Sequence, residues 1–305
     1  MGYAALTALV FGIFFVITLF LARIAEILAP LLGLTDRVDH QNQRKIHSHP
    51  RPIGGAAFFP GFIAILFFLP SREIISLVVG GVLVGVMGLI DDIRGLNPKL
   101  KLLLQAIAAL GPITGGIVIS SLDVFNLELG IFGIPFTLLW IVGVTNAFNL
   151  IDGLDGLASG GAAIASLFVI FLALNNGVGE VVLLSAALLG ASLGFLRYNF
   201  HPARLFLGDS GSYFLGFLLS ALVVIADEGN LSFSAVLILG LPIADTLWAI
   251  IRRLASGQSI LVADRGHIHH RLLKLGWGYK KTVLFLYGIF IILGALGLVI
   301  SQRYN

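Results

Sequence analysis

Apolar positions in this chain come in long, nearly unbroken runs, without the alternation of a half-buried strand or the one-sided spacing of a surface helix. Crossing a bilayer takes about 20 mainly apolar helical residues. Ten runs approach that length: 3–29, 54–70, 74–90, 102–120, 135–151, 158–175, 180–197, 211–226, 232–251 and 282–300. Several breaks between them are only long enough to turn the chain, as at Pro70–Glu73, Asn175–Glu180 and Asp227–Leu231. One longer break, Ser121–Ile134, sets Val124, Phe125, Leu127 and Leu129 around Asn126 and Glu128, a pattern that fits a small hairpin. The first run, from Tyr3 to Pro30, is far longer than the apolar segment of ~7–15 residues in a cleavable signal, so it reads as a retained span. These elements predict an all-α polytopic membrane protein, one domain over residues 1–305 with about ten transmembrane helices.

Composition leads to the same class. The chain is 58% hydrophobic and 11% charged, where soluble proteins carry roughly 25% charged residues. Its mean hydropathy of +1.00 leaves too little polar surface to cover a water-soluble core of this size. With no cysteine, disulfides and thiolate chemistry are excluded. The net charge of +3 is small and gives no reason to expect a nucleic-acid partner.

Where the charges sit says more than their sum. Lys and Arg are retained on the cytoplasmic side of a membrane protein. Assigning the breaks alternately to two sides places sixteen of the nineteen basic residues on one of them. These are Arg37, Arg44, Lys45 and Arg51; Arg94, Lys99 and Lys101; Arg197 and Arg204; and Arg252, Arg253, Arg265, Arg271, Lys274, Lys280 and Lys281. Only Arg72 and Arg303 fall opposite, with Arg23 near the inner end of the first run. Both termini are then expected outside, with five loops in the cytoplasm. All seven histidines share those inner loops with Asp36, Asp39, Asp91, Asp92, Asp152, Asp155, Asp209 and Asp264. Charge retention accounts for Lys and Arg but not for His or Asp, so their gathering on one face points to an active site built from several cytoplasmic loops.

Four of these loops concentrate the chemistry. Asp91 and Asp92 end the third run; adjacent carboxylates at a lipid boundary repel unless a cation compensates. The candidates are Mg²⁺ or Lys101, at the start of the next run. Asn146, Asn149 and Asp152 follow at three-residue spacing, which puts them on one face of a continuing helix, with Asp155 close behind. Polar side chains at membrane depth usually line a cavity, and interhelical hydrogen bonding is the plainer alternative. Phe206–Ser212 opens the eighth run, where Asp209 among small residues can approach a metal ion. The N–H groups of that helix start can receive phosphate oxygens, or Asp209 is an ordinary cap. His267, His269, His270 and Arg271 suit an anionic ligand such as a pyrophosphate; the neighbouring arginines disfavour zinc. Lys45 and Arg51, in the first inner loop, would attract a lipid phosphate. Asp245, within the ninth run, is expected to pair with Arg252 or Arg253 two turns on.

In this order along the chain, the motifs resemble those of the polyprenyl-phosphate N-acetylhexosamine-1-phosphate transferases, from the Pro50–Gly55 loop to His267–Arg271. Asn146–Ala158 (NAFNLIDGLDGLA) and Ala263–Leu272 (ADRGHIHHRL) look more like the teichoic-acid and O-antigen initiating branch than the MurNAc-pentapeptide branch. The resemblance implies transfer of GlcNAc-1-phosphate from UDP-GlcNAc to undecaprenyl phosphate with release of UMP. It implies a bacterial cytoplasmic membrane location and Mg²⁺ as cofactor, with Mn²⁺ able to substitute. By motif position it makes Asp209 a metal ligand with Asn149 a second, Asp91 and Asp92 base or metal-adjacent carboxylates, and Lys101 a neighbour of phosphate. Asp152 and Asp155, with Asn146, would line the nucleotide-sugar pocket, and His267, His269, His270 and Arg271 would grip the diphosphate or sugar. Lys45 and Arg51 would sit near the lipid phosphate. The implied partners are a UDP-N-acetylhexosamine, undecaprenyl phosphate and the bilayer, with homodimerisation left open. Another UDP-N-acetylhexosamine or UDP-MurNAc-pentapeptide is the alternative donor. A secondary transporter is the rival of another class, but such proteins carry repeats and mid-membrane charges that are not evident here.

Overall fold

The computed structural model describes residues 2–31, 53–257 and 266–304. Helix α1 (Tyr3–Leu31) is followed, from residue 54, by a 3-10 turn (Gly54–Phe58) leading into the short α2 (Phe59–Ile65). Then come α3 (Arg72–Arg94), α4 (Pro98–Gly115), strands β1 (Ser121–Leu122) and β2 (Leu127–Glu128), α5 (Gly133–Ile151), α6 (Leu157–Asn175), α7 (Gly179–Asn199) and α8 (Gly208–Ala226). The chain continues through α9 (Phe233–Ile238), α10 (Gly240–Ala255), α11 (Ile268–Lys274) and α12 (Tyr279–Tyr304). The expected hairpin is present: β1 and β2 pair antiparallel, Ser121 opposite Glu128.

Apart from this short hairpin the fold is α-helical, and the protein is a multi-pass membrane protein of the all-α class. Among the described residues, seven helices, α1, α3, α5, α6, α7, α8 and α12, are long and apolar enough to cross a bilayer. The other three expected spans take different forms. Run 54–70 folds as the 3-10 turn and the seven-residue α2, because the chain leaves the helix after Ile65 and reaches a new start at Ser71. Run 102–120 gives the 18-residue α4, which begins earlier and is diluted by Lys99, Lys101 and Gln105. Run 232–251 is broken at Leu239, between α9 and α10. Pro242 explains the break, since it has no N–H to offer the carbonyl of Ile238.

Helix α8 is the axis of the bundle. It is 89% buried, against 11% for the lipid-facing α1, and it packs on α3, α5 and α6. Lipid tails are as apolar as leucine, so membrane helices gain by approaching closely through small residues. Gly190 and Gly194 of α7 show this: a Cβ on the first would lie 2.2 Å from the Phe11 carbonyl oxygen of α1, and on the second 2.5 Å from that of Phe15.

Cross-links between elements sort the two ends of the bundle. At one end the Tyr3 hydroxyl donates to the Gly179 carbonyl (2.5 Å) and Ser234 Oγ to that of Gly297 (2.8 Å). Asn176 donates there to the Ala226 carbonyl (2.8 Å). The start of α1 and the late turns of α12 therefore share an end, as both termini were expected to. The opposite end gathers the α3–α4 turn, the α5–α6 loop, the start of α8 and α11.

Candidate active site

Gly95, at φ +72°, ends α3 in a left-handed turn that favours glycine. Two residues on, the Asn97 side chain accepts the Lys99 N–H (2.9 Å), and Pro98 occupies the first helical position of α4. This sharp reversal lays Lys101 back over the end of α3. Asp91 accepts the Leu96 N–H (2.5 Å) and pairs with the Lys101 ammonium, which reaches on to Asp209 at 3.2 Å. Of the two cations considered for the paired aspartates, Lys101 is thus in contact with Asp91.

Asp92 faces elsewhere. Its two carboxylate oxygens accept the backbone N–H groups of Asp209 (2.9 Å) and Ser210 (3.0 Å). A helix start leaves its first N–H groups without intrahelical partners, and the residue preceding α8, Leu207, supplies no side-chain cap. Asp92 supplies it from α3. Of the alternatives for this stretch the ordinary cap falls away, since Asp209 does not cap its own helix, and two of the amides able to receive phosphate are already taken. One turn before Asp92, a Cβ on Gly88 would lie 2.6 Å from the Asp209 carbonyl, so only glycine lets the two helices meet this closely. From the other side, Gly54 and Gly55 donate their N–H groups to the Phe206 (3.1 Å) and Leu207 (3.0 Å) carbonyls.

Asn149 of α5 completes the cluster. Its side-chain nitrogen donates to Asp209 (2.8 Å) and lies 3.0 Å from Ser212 Oγ. Asn146, one turn earlier, is paired instead with Gln105 of α4 (2.6 Å) and with the Val142 carbonyl (2.7 Å). It follows the plainer alternative of interhelical glue. Helix α5 stops at Ile151, so Asp152 leaves the expected common face and sits half-buried in the loop. Asp155 ties that loop to the α7–α8 connection, through His201 Nδ1 (2.9 Å) and the Ala203 N–H (3.1 Å).

The histidine motif opens α11. His267 Nδ1 lies 2.8 Å from Asp245, whose other oxygen accepts the Ile268 N–H (2.9 Å). Asp245 therefore pairs with His267, not with Arg252 or Arg253, because its partner comes from beyond its own helix; Arg252 donates to the Gly266 carbonyl (3.2 Å). The His267 and His269 rings stack 5.8 Å apart, and the His270 ring lies 4.2 Å from that of His269. The buried His269 packs on Gly153, where a Cβ would stand 2.1 Å from Nε2. Gly153 follows Asn149 by four residues, so the α5–α6 loop joins the histidines to the acidic cluster. Arg271 is exposed on α11. Lys45 and Arg51 lie outside the described residues.

Three participants were not singled out from sequence. Gln105 sits one turn after Lys101, a polar residue inside an apolar helix, which was a readable signal. Tyr213 is buried beside Asp209. Asn199 accepts from the Gly156 N–H (3.1 Å) and Ser159 Oγ (2.7 Å) and donates to the Leu205 carbonyl (3.0 Å), bracing the same loop. Among the described residues, no three His, Asp or Glu side chains converge as a ready metal cage. Asp91, Asp209 and the amide oxygen of Asn149 are nevertheless an all-oxygen set. Such a set fits Mg²⁺, which is held by one or two carboxylates while water and substrate phosphates complete its shell. A cation bound there would be met by the Asn149 amide oxygen in place of the NH₂ group that now faces Asp209.

The profile of glycosyl transferase family 4 matches residues 74–227. The chain is 39% identical over 280 residues to the probable undecaprenyl-phosphate N-acetylglucosaminyl 1-phosphate transferase of Bacillus subtilis, covering 87% of this chain and 77% of that one. It is 31% identical over 294 residues to the undecaprenyl-phosphate alpha-N-acetylglucosaminyl 1-phosphate transferase of Thermotoga maritima, covering 95% and 89%. It is also 35% identical over 236 residues to the phospho-N-acetylmuramoyl-pentapeptide-transferase of Anoxybacillus flavithermus, covering 71% of each.

Proposed function

The chain belongs to glycosyl transferase family 4, and from that premise we propose that it transfers GlcNAc-1-phosphate from UDP-GlcNAc to undecaprenyl phosphate, giving undecaprenyl-diphosphate-GlcNAc and UMP. One observation carries the reading: Asp209 is held at once by Lys101 of α4, Asn149 of α5 and Asp92 of α3, with the histidine helix seated on the loop that follows Asn149. Phosphoryl transfer asks a protein mainly for positioning and charge neutralisation. A bound Mg²⁺, held by Asp209 and Asn149, would offset charge on the diphosphate. Lys101 adds a fixed positive charge, kept in place by Asp91. An oxygen of the lipid phosphate, anionic near neutral pH, attacks the phosphorus that carries the sugar. The new P–O bond forms as the bond to the UMP oxygen breaks, and the electron pair leaves with UMP. No covalent aspartyl intermediate is needed. His267, His269, His270 and Arg271 grip the diphosphate or the sugar, and Asp152 lines the nucleotide-sugar pocket.

Sidedness follows from charge. The basic residues gathered at the site's end of the bundle support a multi-pass protein of the bacterial cytoplasmic membrane with its site toward the cytoplasm. As to donor, the relatives named for N-acetylglucosamine align with 87–95% of this chain, against 71% for the pentapeptide transferase. That difference favours UDP-GlcNAc, with UDP-MurNAc-pentapeptide the second reading.

The test is nucleotide release. Purified protein in nanodiscs with undecaprenyl phosphate and Mg²⁺ should release UMP from UDP-GlcNAc, and chelation should stop it. Silence with every UDP-sugar in a panel would sink the reading, and faster turnover of UDP-MurNAc-pentapeptide would reassign the donor.

A further inference from the structure

Asp245 is a carboxylate buried in the mainly apolar α10, where an ionisable side chain is costly unless it is paired. It is 7% exposed and sits in α10, which packs on α5. Neither oxygen faces a basic side chain of its own helix. One accepts from the His267 ring, itself 3% exposed, and the other from the backbone N–H of Ile268, the first residue of α11. A second anchor from the same helix, Arg252 to the Gly266 carbonyl, holds the chain just before it. The histidine helix is thereby fastened to α10 at its first turn.

A carboxylate has only acceptors to offer, so the Nδ1 it faces must carry the proton. That fixes the tautomer of the ring and leaves Nε2 as the nitrogen turned away from Asp245. It also fixes the ring plane, which lies 4° from parallel with His269. His269 is wedged against Gly153, and Asn149 just upstream holds Asp209. Contacts from α10 through two stacked imidazoles thus reach the α5–α6 loop, which leads back along the chain to Asn149 and the acidic cluster.

From this geometry we infer that Asp245 is a positioning residue of the transferase, which sets the tautomer and orientation of His267 so that its unprotonated Nε2 accepts a hydrogen bond from a hydroxyl or amide N–H of the nucleotide sugar. The inference rests on the transfer reaction proposed above. Asp245 touches no reacting atom and acts through His267. Asn in its place can still accept one hydrogen bond but not two, and its NH₂ group offers a donor where the ring needs an acceptor. Removing the partner that orients a functional histidine typically costs 10–100-fold in systems where the histidine binds a metal, and the same range is expected here.

The experiment has two arms. In the first, protein labelled with ¹⁵N-histidine in nanodiscs is examined by NMR, with His267 identified from its missing signals in His267→Gln. A single Nδ1–H tautomer is expected in the wild type and its loss in Asp245→Asn. An unchanged tautomer in Asp245→Asn overturns the inference, whatever the activity. In the second, UMP release is measured as a double-mutant cycle. Asp245→Asn should lower kcat/KM for the nucleotide sugar about 10–100-fold while KM for undecaprenyl phosphate stays unchanged. The same change made on His267→Gln should cost less than about twofold, since two residues acting as a unit are non-additive. Fully additive losses would show that Asp245 merely supports the fold and overturn the assignment. Should Asp245→Asn not fold, Asp245→Glu takes its place. It keeps two acceptors, and is expected to retain the Nδ1–H tautomer and more of the rate than His267→Gln; loss of that tautomer with the fold intact overturns the inference. If the wild type shows the tautomer but releases UMP from no donor, the proposed reaction fails and the tautomer assignment stands.

Discussion

Replacing Asp92 by Asn separates two roles that a pair of adjacent aspartates could share. Asp92 accepts the Asp209 and Ser210 N–H groups at 2.9 and 3.0 Å, one on each oxygen. Asn keeps one acceptor and turns an NH₂ group toward the other amide, donor against donor. Loss of a helix cap costs about 1 kcal/mol, and leaving a buried N–H without a partner costs ~1–3 kcal/mol. The two figures describe one lost bond, so the first turn of α8 should be less stable by roughly 1–3 kcal/mol, or it must move to relieve the clash. Movement carries Asp209 with it, and a displacement of about 1 Å in catalytic geometry can cost on the order of 100-fold in rate. The expected result for Asp92→Asn is a lower melting temperature, faster amide exchange across 208–212, and UMP release reduced about 100-fold. Asp91→Asn should also lose turnover, because Asp91 holds Lys101, but exchange across 208–212 should stay close to that of the wild type. If Asp92→Asn abolishes turnover while melting and exchange are unchanged, Asp92 takes part in the chemistry itself and the capping argument is wrong.

Two further predictions concern the opposite end and the rim of the bundle. Gly190→Leu should destabilise the protein by ~1–3 kcal/mol by overpacking, because even a Cβ there meets the Phe11 carbonyl at 2.2 Å; turnover per folded molecule, normalised by size-exclusion yield, should not change. Asp227, at the end of α8, accepts the Ser232 N–H (2.8 Å), and burial pushes its carboxyl from 3.8 up to about 6. A folded-state pKa raised above the unfolded one means that the folded protein binds the proton more tightly. Stability should therefore rise as pH falls through about 6 and level off near 4, and Asp227→Asn should remove that contribution in thermal melts across the range.

Much of the fold is readable because hydropathy is local: a run of apolar residues needs no partner to be recognised as a span. The same holds for the division into two ends, since charge retention depends on loops and not on packing. Reading failed where a neighbour decides. Residues 54–70 have the composition of a span, yet the chain needs Gly54 and Gly55 against α8 and stops its helix at Ile65. Asp245 was matched to arginines on its own helix, the only partners that helical spacing can nominate; its true partner lies 22 residues on, beyond the end of α10. Asn146 and Asn149 look equivalent at three-residue spacing, but one meets Gln105 and the other Asp209, a difference set by which helices flank α5.

Asp91 and Asp92 show how such ambiguities resolve into a site. Successive residues on a helix point about 100° apart, so one of the pair can face α4 while the other faces α8. Both stand at the C-terminal end of α3, where the helix dipole disfavours negative charge by ~0.3–1 kcal/mol each. Each is compensated from outside its own helix. Asp91 meets the Lys101 ammonium, and Asp92 meets the first amides of α8, the positive end of another dipole. An arrangement unfavourable within α3 becomes favourable between helices, and it does so only if the end of α3, the start of α4 and the start of α8 are brought together. The same contacts set Asp209 beside Lys101 and Asn149. Assembly of the bundle at this end and placement of the acidic cluster are therefore one event. Substitutions that separate α3 from α8, beginning with Gly88→Ala, should lose stability and turnover together.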